Sequence, residues 1–208
     1  MRGDPRRFAL TGFALLLVLG IAVEIAAARY FSPPYNWVSN TVSDLGVTTC
    51  TTINHYYRAI QVCSPAHQWV NASTAVSGLA MIGLATVRAR TAGFDRFAGL
   101  LWVAAGASTL ASALIPADIS MEQHTFVSLP QLFAVPMAVF SSAMQFRGVV
   151  SRAGQAIGVV GLVAGLWLIL DFQALEYSGV LERVILWPAY LWTVFAAVLG
   201  RYRKLTHV

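Results

Sequence analysis

Six windows of about twenty apolar residues divide the chain, near residues 8–30, 66–88, 95–115, 124–146, 153–172 and 181–200. At about 1.5 Å per residue, a helix of that length matches the ~30 Å hydrocarbon core of a bilayer. No water reaches a backbone amide there, so a chain with this pattern has to be helical through each window. The gaps between windows are short except for the first, which leaves no room for a second domain. The expected fold class is all-α, an integral membrane bundle of six transmembrane helices forming a single domain over residues 1–208. A folded extracytoplasmic loop is expected between helices 1 and 2. Composition points the same way, because 57% of residues are hydrophobic and 11% charged, against roughly a quarter charged in soluble domains.

A formal charge of +5 raises the question of nucleic acid, but such a surface needs its basic residues gathered into a patch or stripe. Here they sit in the gaps between apolar runs, so no nucleic-acid partner is expected and the charge reports topology. Arg2, Arg6, Arg7, Arg88, Arg90, Arg96, Arg147, Arg152, Arg201, Arg203 and Lys204 fall at one side of the windows, and Arg29, Arg58 and Arg183 at the other. Eleven against three predicts a multi-pass protein of the plasma membrane with both termini cytoplasmic. The first gap and the segments near 116–123 and 173–180 then face outward. The first window also has features of a secretory signal, with basic "MRGDPRR" before it and "AAA" at 26–28. Its apolar run is long for a signal peptide, which favours an uncleaved first helix, and cleavage would leave the outward loops unchanged.

The first gap is dense in polar and turn-forming residues: "YNWVSNTVSDLGVTTC" supplies Asn36, Asn40, Ser43, Asp44, Gly46 and Cys50. Cys50 and Cys63 are the two cysteines of the chain, and on an oxidising face of the membrane they are expected to pair. Between them "INHYYRAIQV" places Ile53, Tyr57 and Ile60 at helical spacing, which predicts a short interfacial helix. Asp44 is suited to accept backbone hydrogen bonds across a turn, and Gly46 to adopt a conformation other residues avoid. Trp37, Trp69, Trp187, Tyr30, Tyr35 and Tyr177 read as an interfacial aromatic belt.

Ionisable groups within membrane segments are costly and tend to face a partner or an aqueous cavity. Seven of the nine acidic residues, Glu24, Asp44, Asp118, Glu122, Asp171, Glu176 and Glu182, lie at outward depth, and Asp4 and Asp95 do not. In "SPAHQWVN", Ser64 is a candidate N-cap with Pro65 at the first helical position. That puts His67 in the first turn of helix 2 and Asn71 on the same face four residues on. In "MEQHTFVSLP", His124 opens helix 4 with Ser128 one turn deeper. A shared outward pocket is therefore expected from Asn40, Asp44, His67, Asn71, Asp118 and His124, supported by Glu24 and Asp171. For each residue taken singly, capping or anchoring a helix end is the plainer role.

Three stretches, "NWVSNTVSDLG", "SPAHQWVNAS" and "IPADISMEQHTFVSLPQLF", resemble domain-of-unknown-function family 998 of bacterial and archaeal multi-spanning membrane proteins. The resemblance runs from about residue 12 to 200, and its best marks are Asn40, Ser43, Asp44, Leu45 and Gly46, then His124 after Pro116. A Ser-Asp block after a first helix also resembles eukaryotic multi-spanning proteins linked to lipid-anchor remodelling. The family implies the fold and the choice of residues and carries no activity to transfer.

Two functions fit. One is a binding, assembly or accessory component that holds a lipid or lipid-linked ligand in the outward pocket, with membrane lipids as its partners. The other is an outer-leaflet lipid hydrolase or transferase, with Asp44, His67 and His124 as catalytic candidates and Ser43 or a water as nucleophile. A divalent metal held by His67, His124, and Asp44 or Asp118 is a variant of the second, since imidazole and carboxylate suit zinc. No H-E-x-x-H or H-x-x-x-H spacing occurs, and no Walker loop, haem-attachment motif or dinucleotide fingerprint.

Overall fold

A computed structural model describes residues 5–55, 58–90, 95–171 and 176–199. Its six long helices are α1 (Pro5–Ala27, extended by a 3₁₀ turn Ala28–Tyr30), α2 (His67–Ala89), α3 (Arg96–Leu114), α4 (Met121–Ala143), α5 (Gly148–Asp171) and α6 (Ser178–Leu199). All six are long and apolar enough to cross a membrane. The helices lie within a few residues of the expected windows, and α1, α4, α5 and α6 begin three to five residues earlier than those windows suggest. Helix starts are polar and hydropathy misses them. At α4 the start is set by Ser120, whose side chain accepts a hydrogen bond from the Gln123 amide.

Each helix packs on its neighbour in sequence, α1 closes the ring against α6, and α4 meets α6 inside it. The main core lies between them, with Leu17, Met81, Leu84, Trp102, Val135, Val139, Ile185 and Trp192 buried. At the crossing of α2 and α3 the backbones touch. A Cβ on Gly78 would lie 2.7 Å from the Gly106 carbonyl oxygen, and one on Gly106 would lie 2.5 Å from that of Gly78. Small residues at such crossings let membrane helices gain van der Waals contact along their whole length.

Helix α4 carries two prolines, Pro130 and Pro136, and a hydroxyl of the neighbouring helix reaches its backbone beside the first. Ser108 of α3 donates to the Val127 carbonyl at 2.5 Å and accepts from the Gln131 amide at 3.0 Å. The hydroxyl thus bridges a donor and an acceptor one turn apart in α4. Such a contact satisfies backbone polar groups without water.

The segment between α1 and α2 forms a cap over one end of the bundle, called here the loop end. It rests on a second, smaller core of Phe31, Leu45, Val47, Ile53, Val62, Val70 and Ala117. The expected interfacial helix is instead a hairpin, β1 (Thr51–His55) paired antiparallel with β2 (Arg58–Val62), with Ile53 opposite Ile60. The β-branched run Thr51, Thr52, Ile53 and the alternation of Ile60 with Val62 favour strands. Tyr57, which suggested helical spacing, lies outside the described residues. A Cys50–Cys63 disulfide joins the strand ends, with Cα atoms 4.1 Å apart, as expected.

Candidate functional site

The site is built on the turn Ser43–Gly46, a short 3₁₀ helix. Thr41 and Asp44 close it reciprocally. The Asp44 carboxylate accepts from the Thr41 amide at 3.0 Å, and the Thr41 hydroxyl accepts from the Asp44 amide at 3.2 Å. This is the geometry of a capping box, which satisfies two amides that a turn of this length leaves without partners. Asn40 adds a donor to the same carboxylate at 3.0 Å while its own side-chain oxygen accepts from the Asn36 amide. Asp44 and Asn40 are thereby spent on shaping the turn. Gly46 is needed for a different reason from the one expected, since Gly148 and not Gly46 has positive φ. Asn71 of α2 donates to the Gly46 carbonyl at 2.8 Å, and a Cβ on Gly46 would lie 2.5 Å from the Asn71 side-chain oxygen.

Ser43 points from this turn to His124. The His124 Nε2 lies 2.9 Å from Ser43 Oγ, and its Nδ1 lies 2.6 Å from the carbonyl oxygen of Ile115. A carbonyl can only accept, so Nδ1 carries the proton, and in the neutral ring Nε2 is the lone pair that receives the Ser43 hydroxyl. Ile115 is the C-cap of α3, and Pro116 after it cannot continue the helix. The ring therefore leans on the negative end of a helix dipole.

Glu182 of α6 is the third member. It is buried, and its carboxylate accepts from the Val42 amide at 2.7 Å. Sequence reasoning placed Glu182 at a helix end because the apolar window began at 181. With α6 starting at Ser178 the residue falls in the second turn, facing inward. An acid inside the helix boundary was the available signal.

Ser43, His124 and Glu182 line two adjoining cavities. The smaller, about 70 Å³, runs into the bundle past Glu24, Asn71, Ser77, Thr109 and Gln131, and is large enough for a few water molecules. The larger, about 290 Å³, lies between α4, α5 and α6. Its loop end is polar, with Ser43, Asp44, His124 and Glu182, and further in it is walled by Leu129, Leu132, Leu168 and Ile169. Leu129 and Ile169 are 40% and 47% exposed, so its flank opens sideways between helices.

The remaining expected members are placed elsewhere. His67 lines neither cavity; its Nδ1 meets the Ser64 carbonyl at 2.8 Å. The N-cap of α2 is Ala66, with no side-chain cap, because the Ser64 hydroxyl is committed to the Leu45 carbonyl at 2.6 Å. Asp118 also lines neither cavity and ties the cap to the α3–α4 connection, accepting from the amides and hydroxyls of Thr48 and Thr49 at 2.8–3.0 Å. The Asp171 side chain lies outside the described residues. Among the described residues no three His, Cys, Asp or Glu side chains group as metal ligands, so the four metal candidates are not brought together.

Burial pushes the Asp118 carboxyl up, but the Thr48 and Thr49 hydrogen bonds outweigh it and hold it below the ordinary carboxylate value. A folded-state pKa below the unfolded one contributes stability that is full above the ordinary value and lost as the pH falls through the folded one. Docking of residues 47–50 should therefore hold at neutral pH and loosen once the pH drops below about 4. Asp118→Asn should loosen it at neutral pH by about 1 to 2 kcal/mol. Protease cleavage within 47–50 measures this, and equal resistance of the variant and the parent at neutral pH would refute it.

Glu24 is held by Arg183, whose Nε donates to it at 2.7 Å, and by Trp187 Nε1 at 2.9 Å. Arg183 also donates to the carbonyls of Trp37, Asn40 and Gly179 and to the Tyr35 hydroxyl. The rings of Tyr35, Trp37 and Trp187 surround its guanidinium at 4.8–5.9 Å. These three aromatics, expected in an interfacial belt, form a cage around it. Burial holds the Tyr35 phenol above its ordinary range, so it stays a hydroxyl and donates to the carbonyls of Asn40 and Thr41.

Residues 7–199 match the model of a family described as "Protein of unknown function (DUF998)". No curated protein and no solved structure matches the chain.

Proposed function

The chain belongs to the DUF998 family, and from that premise we propose that it binds a lipid or lipid-linked ligand as a binding, assembly or accessory component. The observation that carries this is the form of the 290 Å³ cavity, polar at the loop end and apolar further in. An amphiphile with its head at Ser43, His124 and Glu182 and its chain along Leu129, Leu132, Leu168 and Ile169 meets matching chemistry at both ends. The exposed flank of Leu129 and Ile169 lets it enter from the bilayer without crossing water. The volume is at the lower edge of the roughly 300–1,000 Å³ usual for ligand sites, so the cavity holds the part of the molecule next to the head while the rest of the chain remains in lipid.

A photoactivatable phospholipid incubated with the detergent-purified protein should crosslink to residues 125–132 or 168–169. Leu132→Trp and Leu168→Trp, which fill the cavity with apolar volume, should each reduce that crosslink about tenfold, a loss of ~1.4 kcal/mol in binding. Unchanged crosslinking in both variants would remove the reading.

The orientation that goes with it places the loop end outward in the plasma membrane and both termini in the cytoplasm, supported by the eleven-to-three division of basic residues. Single cysteines introduced at 88–94 in a Cys-free background should resist an impermeant thiol reagent in intact cells. Labelling there from outside would invert the topology.

A further inference from the structure

We infer that Ser43 and His124 form a nucleophile–base pair that transfers an acyl group from an ester-linked lipid held in the larger cavity. The inference rests on the amphiphile-binding reading of that cavity and adds a reaction to it.

The pair has the geometry nucleophilic catalysis requires. Ser43 Oγ lies 2.9 Å from His124 Nε2, within reach for the hydroxyl proton, and Nδ1 is fixed by the Ile115 carbonyl at 2.6 Å. A nucleophile, a base and a group that orients the base are the three parts such a site needs. The carbonyl orients the ring as a carboxylate would, without adding a charge. It also ends α3, so the negative pole of that helix faces the ring where positive charge develops when it takes the proton. His124 is 7% exposed, which shields it from bulk water, while both Ser43 and His124 line the amphipathic cavity and the smaller one. One cavity can bring the ester and the other the acceptor.

The step balances as follows. Ser43 Oγ forms a bond to the ester carbonyl carbon and its proton passes to His124 Nε2. The carbon–oxygen bond to the leaving alcohol breaks, and His124 returns the proton to that oxygen. The acyl-Ser43 is then attacked by water, or by the hydroxyl of a second lipid. His124 takes the attacking group's proton and restores it to Ser43 as the acyl bond breaks. With water the products are a fatty acid and a lysolipid; with a lipid alcohol the acyl chain is transferred.

The test uses the full-length protein in detergent with a long-chain alkyl fluorophosphonate, which reacts covalently with an activated serine. Wild-type protein should gain one adduct, mapped by peptide mass spectrometry to Ser43. Ser43→Ala should gain none, and His124→Gln should label at least ~100-fold more slowly, the lower end of what a positioned base contributes. Mapping on the wild type keeps the test valid if either variant folds poorly. No adduct on wild-type protein, an adduct on another residue, or wild-type labelling of His124→Gln would each overturn the inference. In parallel, the photoactivatable phospholipid separates the two readings. Crosslinking without an adduct removes the reaction and leaves the binding site, and failure of the crosslink removes the binding reading as well.

Discussion

Glu24→Ala should cost about 3 to 5 kcal/mol, the range for stripping one partner from a buried ion pair, and leave little folded protein in detergent. The side chains of Arg183 and Glu24 are 7% and 6% exposed, so the stranded guanidinium is cut off from bulk water and does not give up its proton. The charge it carries is shared by the cap, because the same guanidinium holds the carbonyls of Trp37 and Asn40 and so fixes residues 35–42 just ahead of Ser43. Glu24→Gln, which keeps an acceptor of the same shape, should lose less. Replacing both partners with Leu and Met should recover only part of the stability. Removing the ion pair also removes the donors on which the two loop carbonyls depend, and buried acceptors without donors carry their own penalty. Fluorescence-detected size exclusion after a thermal ramp ranks the variants. A Glu24→Ala protein as stable as the parent would show that the cap is held by its apolar core alone.

Arg183 also marks where reading the sequence stops. Its position near a helix end enters the topology count, yet nothing in "SGVLERV" says that two aromatic rings and two carbonyls from the loop after α1 converge on it. Contacts separated by more than 140 residues leave no local pattern. The six helices are legible because lipid imposes one constraint on every residue of a span, and the disulfide because two cysteines fall on one side. The hairpin was missed where five residues allowed either a period of two or one of 3.6, and the strand pairing that decides between them is tertiary. His124 and Asn71 were found from the helix face they occupy. His67 has equal credentials in sequence and stands apart, because a turn at 64–66 gave its ring a nearer partner. Ser43 is a nucleophile candidate in the sequence, but its bond to His124, 81 residues on, depends on where the cap settles.

At the crossing of α2 and α3, Gly106→Leu should be the most damaging substitution away from the ion pair. A Cβ at residue 106 would lie 2.5 Å from the Gly78 carbonyl oxygen, 2.8 Å from Ile82 Cγ1 and 3.1 Å from Met81 Cβ. The nearest of these is backbone, which cannot swing aside as a side-chain tip can, so the helices have to separate. Overpacking of this kind costs typically about 1 to 3 kcal/mol, with more for a side chain of four carbons than for a methyl. Gly106→Ala should therefore fall between the parent and Gly106→Leu. Gly12→Ala gives the opposite sign, since no atom lies within 4 Å of a Cβ there and alanine stabilises a helix interior by up to about 1 kcal/mol over glycine. Separation of α2 from α3 also reaches the site. Asn71 on α2 holds the Gly46 carbonyl, and the end of α3 supplies the carbonyl that orients His124. Ser43 and His124 are thus referred to two helices whose spacing is set by two glycines. Any phosphonate labelling of Ser43 should fall in Gly106→Ala by more than its loss of folded protein accounts for. Labelling that tracks the folded fraction alone would place the control of that geometry elsewhere in the bundle.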